Sequence, residues 1–68
     1  MNPSERSIKM EEVQIERKTF VFDLRVNDRG QFLRITEIAG GQRDLIMIPS
    51  PGLDAFHDCL KSIVAANK

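Results

Sequence analysis

The sequence has few of the residues that cross-link a short chain. Its 68 residues include one cysteine, Cys59, and one histidine, His57, so neither a disulfide within these residues nor a zinc site built from several Cys and His ligands is expected. A chain of this length buries only about 60% of the surface that its unfolded form exposes. Small domains without cross-links often complete their core by oligomerising. We therefore expect a homodimer.

The sequence also has no excess of positive or negative charge and no long apolar run. Ten Lys and Arg residues balance ten Asp and Glu residues, whereas nucleic-acid-binding domains are usually basic overall. No apolar run approaches the ~20 residues of a membrane span, and no signal-peptide pattern opens the chain. With a single cysteine, these features predict a cytoplasmic protein.

Alternating apolar and polar residues predict two strands, over 18–26 and 31–38, because successive side chains of a strand point to opposite faces. Residues 27–30 form the predicted turn, where Gly30 can adopt a positive φ. Two faces follow from the alternation. The first, a candidate core face, contains Phe20, Phe22, Leu24, Val26, Leu33 and Ile35. The second contains Arg25, Asn27, Phe32, Arg34 and Thr36.

The rest of the chain completes a ββββα order. Residues 1–7 are predicted to be a disordered tail and 8–68 the folded domain, with strands over 9–16 and 43–48 and a bulge near Glu11 and Glu12. A loose turn is expected over 39–42. A helix is predicted over 51–66, with Ser50 as its N-cap and Asp54 in its first turn. Its apolar stripe consists of Leu53, Phe56, Leu60, Ile63 and Val64.

This order predicts an α+β fold in which a four-stranded antiparallel sheet is followed by one C-terminal helix. A single helix laid on the sheet covers one face and leaves the other bare. The bare face is then available for a ligand or a partner.

No arrangement of residues predicts catalysis. His57 and Cys59 are two positions apart on the predicted helix and point in different directions, so no nucleophile, base and orienting group converge. Asp23 and Glu37 lie on neighbouring strands among arginines, and cross-strand ion pairs with Arg25 or Arg34 explain them more simply than acid–base chemistry. We expect a non-enzymatic protein without a cofactor or a metal site.

The second sheet face combines the residue types of a single-stranded nucleic-acid site. Arg25, Arg29 and Arg34 are cations suited to phosphates, Asn27 carries an amide suited to base edges, and Phe32 offers a ring for stacking. From these residues alone, a solvated sheet face with Phe32 packed under a partner or a loop is the simpler interpretation, since exposed apolar residues are ordinary.

The sequence resembles the PUR repeat family, the Pur-alpha-like purine-rich element binding proteins. The resemblance covers residues 11–65. Two of its features lie in the first hairpin strand and turn: aromatic and aliphatic residues flank Asp23 in 20–24, and two basic residues, an Asn and a Gly follow in 25–30. The others are the Phe-Leu-Arg-Ile run in 32–35 and the C-terminal helix with Leu53, Phe56 and Leu60.

This resemblance implies a Whirly-like PUR domain formed by an intertwined homodimer of single repeats, of the short bacterial type. It implies a non-catalytic protein that binds purine-rich, GGN-type single-stranded DNA or RNA, in the cytoplasm or at the nucleoid. Carried over by position, the implied contacts are Arg25, Asn27, Arg29 and Phe32, to which our reading of the face adds Arg34. The helix stripe is the expected dimer interface. The alternative is a protein-interaction or structural dimer module that uses the open sheet face for a protein partner.

Overall fold

The structure is a computed structural model, and it describes residues 4–68. Four antiparallel strands form one sheet in the order β1-β2-β3-β4, followed by a 3₁₀ turn and a helix. The predicted α+β class and the ββββα order are confirmed. The elements are β1 (Arg6–Ile15), β2 (Lys18–Asn27), β3 (Gly30–Ala39), β4 (Gln42–Pro49), the 3₁₀ turn (Ser50–Gly52) and α1 (Leu53–Ala66).

The pairing register confirms the two predicted faces, because directly opposed residues of antiparallel strands point to the same side. On one side Phe22 opposes Ile35, which opposes Ile46. On the other, Arg25 opposes Phe32, which opposes Pro49. We call the first side the apolar face, with Phe20, Phe22, Leu24, Val26, Leu33, Ile35, Ile46 and Ile48. We call the second the arginine face, with Asp23, Arg25, Asn27, Phe32, Arg34, Met47 and Pro49.

Three short turns fix this register. The turn after β2 has Asp28 and Arg29 as its two loop residues, and Gly30 has the expected positive φ, 123°. The turn before β4 is tighter than predicted. Gly40 and Gly41 alone connect the paired residues on either side, with φ values of 57° and 80°. Two consecutive positive φ angles are what a two-residue hairpin of type I′ requires, and glycine adopts them without a Cβ clash.

Two details of β1 differ from the sequence prediction. The strand begins at Arg6, three residues before the predicted start at Lys9, and residues 1–3 of the predicted tail lie outside the described residues. The irregularity lies between Ser7 and Lys9 rather than near Glu11 and Glu12. An extra residue at Ile8 shifts the register there, so the alternation is uninterrupted from Lys9 onward.

The helix begins later than predicted, and Ser50 is not its N-cap. Ser50 belongs to the 3₁₀ turn, and the N-cap of α1 is Gly52, with no side-chain cap hydrogen bond. Pro51 has no N–H, and Gly52 has a low helix propensity, so the regular α-helical ladder starts only at Leu53. Asp54 lies in the first turn, as expected.

The helix does not cover its own sheet, and the prediction that it would is wrong for the single chain. Within residues 4–68 its only substantial contact is with the 3₁₀ turn, and every residue of 54–68 is exposed. The radius of gyration is 13.7 Å, compared with about 11 Å for a compact chain of this length. None of the apolar side chains in the described part of the chain is fully buried.

Candidate nucleic-acid interface

The predicted site residues form two groups, one at the end of the arginine face beside the β2–β3 turn and one on the face itself. Asn27, Arg29 and Phe32 surround the turn between β2 and β3, and they line one shallow depression of about 260 Å³. Arg25 and Arg34 lie beside it, in a cluster of ion pairs around Asp23. Arg25 links the two groups, because it lies directly opposite Phe32 across the strand pair.

The depression has an aromatic and apolar lining with polar groups at its edge. Phe32 is half-buried there, and the other lining residues are Asn27, Arg29, Gly30, Gln31, Met47 and Pro49. Met47 and Pro49 were missed by the sequence analysis. Alternation in the fourth strand places them on this face, but only the β3–β4 register brings them next to Phe32.

The side chains of Asn27 and Arg29 differ in how far neighbouring groups hold them in place. The Asn27 side-chain oxygen accepts a hydrogen bond of 2.8 Å from the Arg29 backbone N–H, a local contact typical of asparagine in turns. This leaves the Asn27 amide N–H groups as donors. The Arg29 side chain is exposed at the end of the hairpin, and no ion pair is formed by it within residues 4–68. It is the most accessible cation of the predicted set.

Asp23 is the one buried residue in the described chain, with 1% of its surface exposed. Its carboxylate accepts hydrogen bonds from the Ser7 hydroxyl at 2.6 Å, Arg25 Nη1 at 2.8 Å and Arg34 Nη2 at 3.1 Å. Arg25 also donates from Nε to Glu5 at 2.9 Å. The extra residue at Ile8 shifts the β1–β2 register so that Ser7 lies opposite Arg25, which explains how a β1 hydroxyl reaches this cluster.

The predicted pairing of Asp23 with Arg25 or Arg34 is confirmed, since both arginines contact it. The corresponding expectation for Glu37 is wrong. Glu37 forms its ion pair with Lys18 at 2.8 Å. Strand alternation places Glu37 on the apolar face, away from the arginines.

Burial disfavours the charged form of Asp23, but the hydrogen bonds from Ser7 and Arg25 and the charges of Arg25 and Arg34 outweigh it. They hold the pKa of Asp23 below its usual value. A carboxyl group with a lowered folded-state pKa stabilises the fold above its unfolded pKa of about 3.9, and the contribution is lost as the pH falls through the folded-state value.

We predict that Asp23→Asn destabilises the protein at neutral pH by about 1–3 kcal/mol, because hydrogen bonds to a charged group are lost. The stability difference between parent and variant should narrow as the pH falls below about 4, where the unfolded parent chain takes up a proton at Asp23 that the folded protein, with its lowered pKa, binds only at lower pH. Denaturant titrations at one fixed protein concentration measure this difference. If the difference in the free energy of unfolding between parent and variant stays constant down to pH 2, the charge of Asp23 does not stabilise the fold.

No other described group forms a site of comparable chemistry. His57 and Cys59 are exposed on α1, and within residues 4–68 the only carboxylate that lies within 4 Å of a His57 ring nitrogen is that of Asp58, at 3.6 Å. Across residues 4–68, three or more His, Cys, Asp or Glu side chains are nowhere placed to hold a metal ion. Of the helices described, none has the length and hydropathy to cross a bilayer.

Comparison with known proteins identifies the family. Residues 1–67 match the family described as "PurA ssDNA and RNA-binding protein". The chain belongs to the PurA family. The resemblance stated from the sequence is thereby confirmed, and this family is defined by nucleic-acid binding and not by catalysis.

Two proteins that are similar to this chain are named as transcriptional regulators. The chain is 43% identical over 56 residues to "Transcription factor Pur-alpha 1" of Arabidopsis thaliana, covering 82% of this chain and 19% of the relative. It is 40% identical over 55 residues to "Transcriptional activator plp-1" of Caenorhabditis elegans, covering 78% of this chain and 24% of the relative. The chain thus spans about a fifth to a quarter of the length of these relatives.

Proposed function

We propose that this PurA-family chain binds purine-rich single-stranded DNA or RNA, as a homodimer and without catalysis. The observation that carries the proposal is the depression around Phe32, which puts a half-buried ring, an amide and an exposed guanidinium side by side on an uncovered sheet face. A nucleobase can stack on the ring, the Asn27 amide can donate to a base edge, and Arg29 can neutralise a phosphate.

The homodimer is supported by the surface that the single chain leaves exposed. Its accessible surface is 5781 Å², whereas a compact 7.7 kDa protein exposes about 4,300 Å². The excess is roughly 1,500 Å² per chain, or ~3,000 Å² for two copies, which falls within the range of obligate dimer interfaces.

The apolar residues that such a dimer would cover lie on two surfaces. One is the stripe of α1, where Phe56 is 40% exposed and Ile63 66% exposed. The other is the apolar face of the sheet, which the helix of the same chain does not cover. In our proposal the helix of each chain packs on the apolar face of its partner, and the single PUR repeat completes its core in this way. The arginine faces then remain open for the nucleic acid.

A titration with labelled oligonucleotides tests the proposal. Fluorescence anisotropy should show tighter binding to a GGN-repeat strand than to oligo-dT, with affinity falling as salt rises. The mass of the protein in dilute solution should be that of two chains. No binding to either strand at low salt would reject the nucleic-acid function. It would favour the alternative of a protein-interaction module, which the neutral net charge and the paired arginines support.

The salt dependence should distinguish the two kinds of arginine. Arg29→Ala should reduce the slope of log affinity against log salt by about 0.7, the value for one phosphate contact on a single strand. Arg25→Ala should change the slope less, because Asp23 and Glu5 already neutralise Arg25. Titrations at four or more salt concentrations measure both slopes. Equal reductions in the two variants would contradict this assignment.

A further inference from the structure

The ion pairs around Asp23 change what Arg25 and Arg34 can contribute to nucleic-acid binding. Glu5 and Asp23 carry two negative charges, and the two arginines carry two positive charges, so the formal charge of the cluster is zero. Phosphate binding gains its free energy from net positive charge that displaces counterions. A neutral cluster gains little in this way, unlike the exposed Arg29.

The same contacts hold the guanidinium groups in fixed positions. Arg25 uses two of its five N–H donors, on Asp23 and Glu5, and its side chain is only 18% exposed. Arg34 uses one donor, on Asp23, and its side chain is 36% exposed. Within residues 4–68, each guanidinium therefore keeps N–H groups that donate no hydrogen bond, and the buried carboxylate of Asp23 sets the direction of the guanidinium plane. A group held by such contacts loses little entropy on binding.

A fixed, neutralised guanidinium is suited to a base edge. Paired N–H groups of arginine bind the O6 and N7 acceptors of guanine, and this fork geometry discriminates between bases. Arg25 lies directly opposite Phe32 in the β2–β3 register, so a purine stacked on the Phe32 ring has its edge close to this cluster.

We infer that Asp23 is a specificity-determining positioning residue, which neutralises and orients Arg25 and Arg34 so that they recognise purine edges instead of phosphates. This inference rests on the proposed single-strand binding and deepens it. Asp23 itself is buried and does not touch the ligand. Its effect appears in the ratio of affinities for purine-rich and thymine strands, a quantity that a purely structural role would not change selectively.

The test compares Asp23→Asn with Glu5→Gln in the full chain, using a GGN-repeat strand and oligo-dT of equal length. Each substitution removes one negative charge from the same cluster, but only Asp23→Asn removes the carboxylate that orients both arginines. Both variants should bind oligo-dT more tightly at low salt, with a salt slope steeper by up to ~0.7. Only Asp23→Asn should lower the purine-to-thymine affinity ratio, by about fivefold or more, which corresponds to the loss of one base-specific pair.

The possible outcomes separate this inference from the proposed function. A parent protein that binds neither strand rejects the proposed function. A parent that prefers the purine strand, with the same ratio in Asp23→Asn, overturns the inference alone. Equal losses of the ratio in Asp23→Asn and Glu5→Gln also overturn it, since net charge would then explain the effect.

If circular dichroism shows that the Asp23→Asn variant does not fold, the same titrations are made with the Arg34→Lys variant. Lysine keeps the positive charge at this half-exposed position but lacks the planar fork. We then expect a lower ratio of purine-strand to thymine-strand affinity, with an unchanged slope of log affinity against log salt. An unchanged affinity ratio would overturn the inference.

Discussion

Phe32→Ala should weaken binding to a purine-rich single strand by about 5- to 150-fold. Among the described residues that line the depression on the arginine face, Phe32 has the only aromatic ring, and stacking of a base on an aromatic side chain contributes about 1–3 kcal/mol. Phe32 is opposed by Arg25 and Pro49 and does not belong to the apolar face, so the fold and the dimer should survive. Anisotropy titrations at one salt concentration give the affinities, and the solution mass gives the oligomeric state.

Two further variants at this position distinguish the contribution of the aromatic ring to binding from the contribution of side-chain size. Phe32→Leu keeps an apolar side chain of comparable size but removes the π surface, and we expect it to lose most of the affinity that Phe32→Ala loses. Phe32→Tyr keeps the ring and should bind much more tightly than either. The stacking role is refuted if Phe32→Ala and the parent bind the purine strand equally well.

Leu60→Asp should abolish the homodimer and, with it, cooperative folding. Leu60 is 52% exposed in the single chain and lies in the centre of the α1 stripe. Burying a leucine contributes ~1.5–3 kcal/mol, and a twofold interface contains the residue twice. The loss is then about 3–6 kcal/mol per dimer before any cost of placing a carboxylate in the interface. This is a large part of the total stability of a small protein.

Ser62→Asp is the matched control for this substitution. It introduces the same residue into the same helix, but two positions on, which places Ser62 roughly opposite the stripe. Surface substitutions of this kind usually change stability by no more than about 0.5 kcal/mol. Analytical ultracentrifugation and thermal unfolding at matched concentrations should therefore show a dimer for Ser62→Asp and an unfolded or monomeric chain for Leu60→Asp.

An outcome in which Leu60→Asp remains a dimer with the thermal midpoint of the parent would show that the stripe is not the interface. The exposed apolar residues of α1 would then need another partner. The apolar face of the sheet, with Phe22 and Ile35 at its centre, would be the next surface to test.

Local patterns predicted the secondary structure well. The period-two alternation in 18–38 fixed both faces, and the register confirms them because a shift of one residue would turn every side chain to the wrong side. The turn at 27–30 and the helix stripe were also readable from residue type and spacing. The bulge at Ile8 and the 3₁₀ turn at Ser50–Gly52 were not, since each depends on how neighbouring elements meet.

The candidate site was only partly predictable. Alternation placed Arg25, Asn27, Phe32 and Arg34 on one face, and an ion pair of Asp23 with one of its neighbouring arginines was predicted, but not that one buried carboxylate would pair with two of them. The structure shows that Asp23 holds two of the three arginines, while Arg29 remains exposed. Met47 and Pro49 became part of the depression only through the pairing of β3 with β4.

The sequence by itself determined the strands, the helix, the two-faced sheet and the membership of the PurA family, because these depend on periodicity and on residue types at short range. Only the tertiary structure decided that α1 lies away from its own sheet and that the buried Asp23 neutralises Arg25 and Arg34. Both depend on distances between different parts of the chain, such as those from Ser7 to Asp23 and from Glu5 to Arg25, which join residues 16 and 20 positions apart. Hydrophobic burial and ion pairing act through those distances, which a linear pattern does not specify.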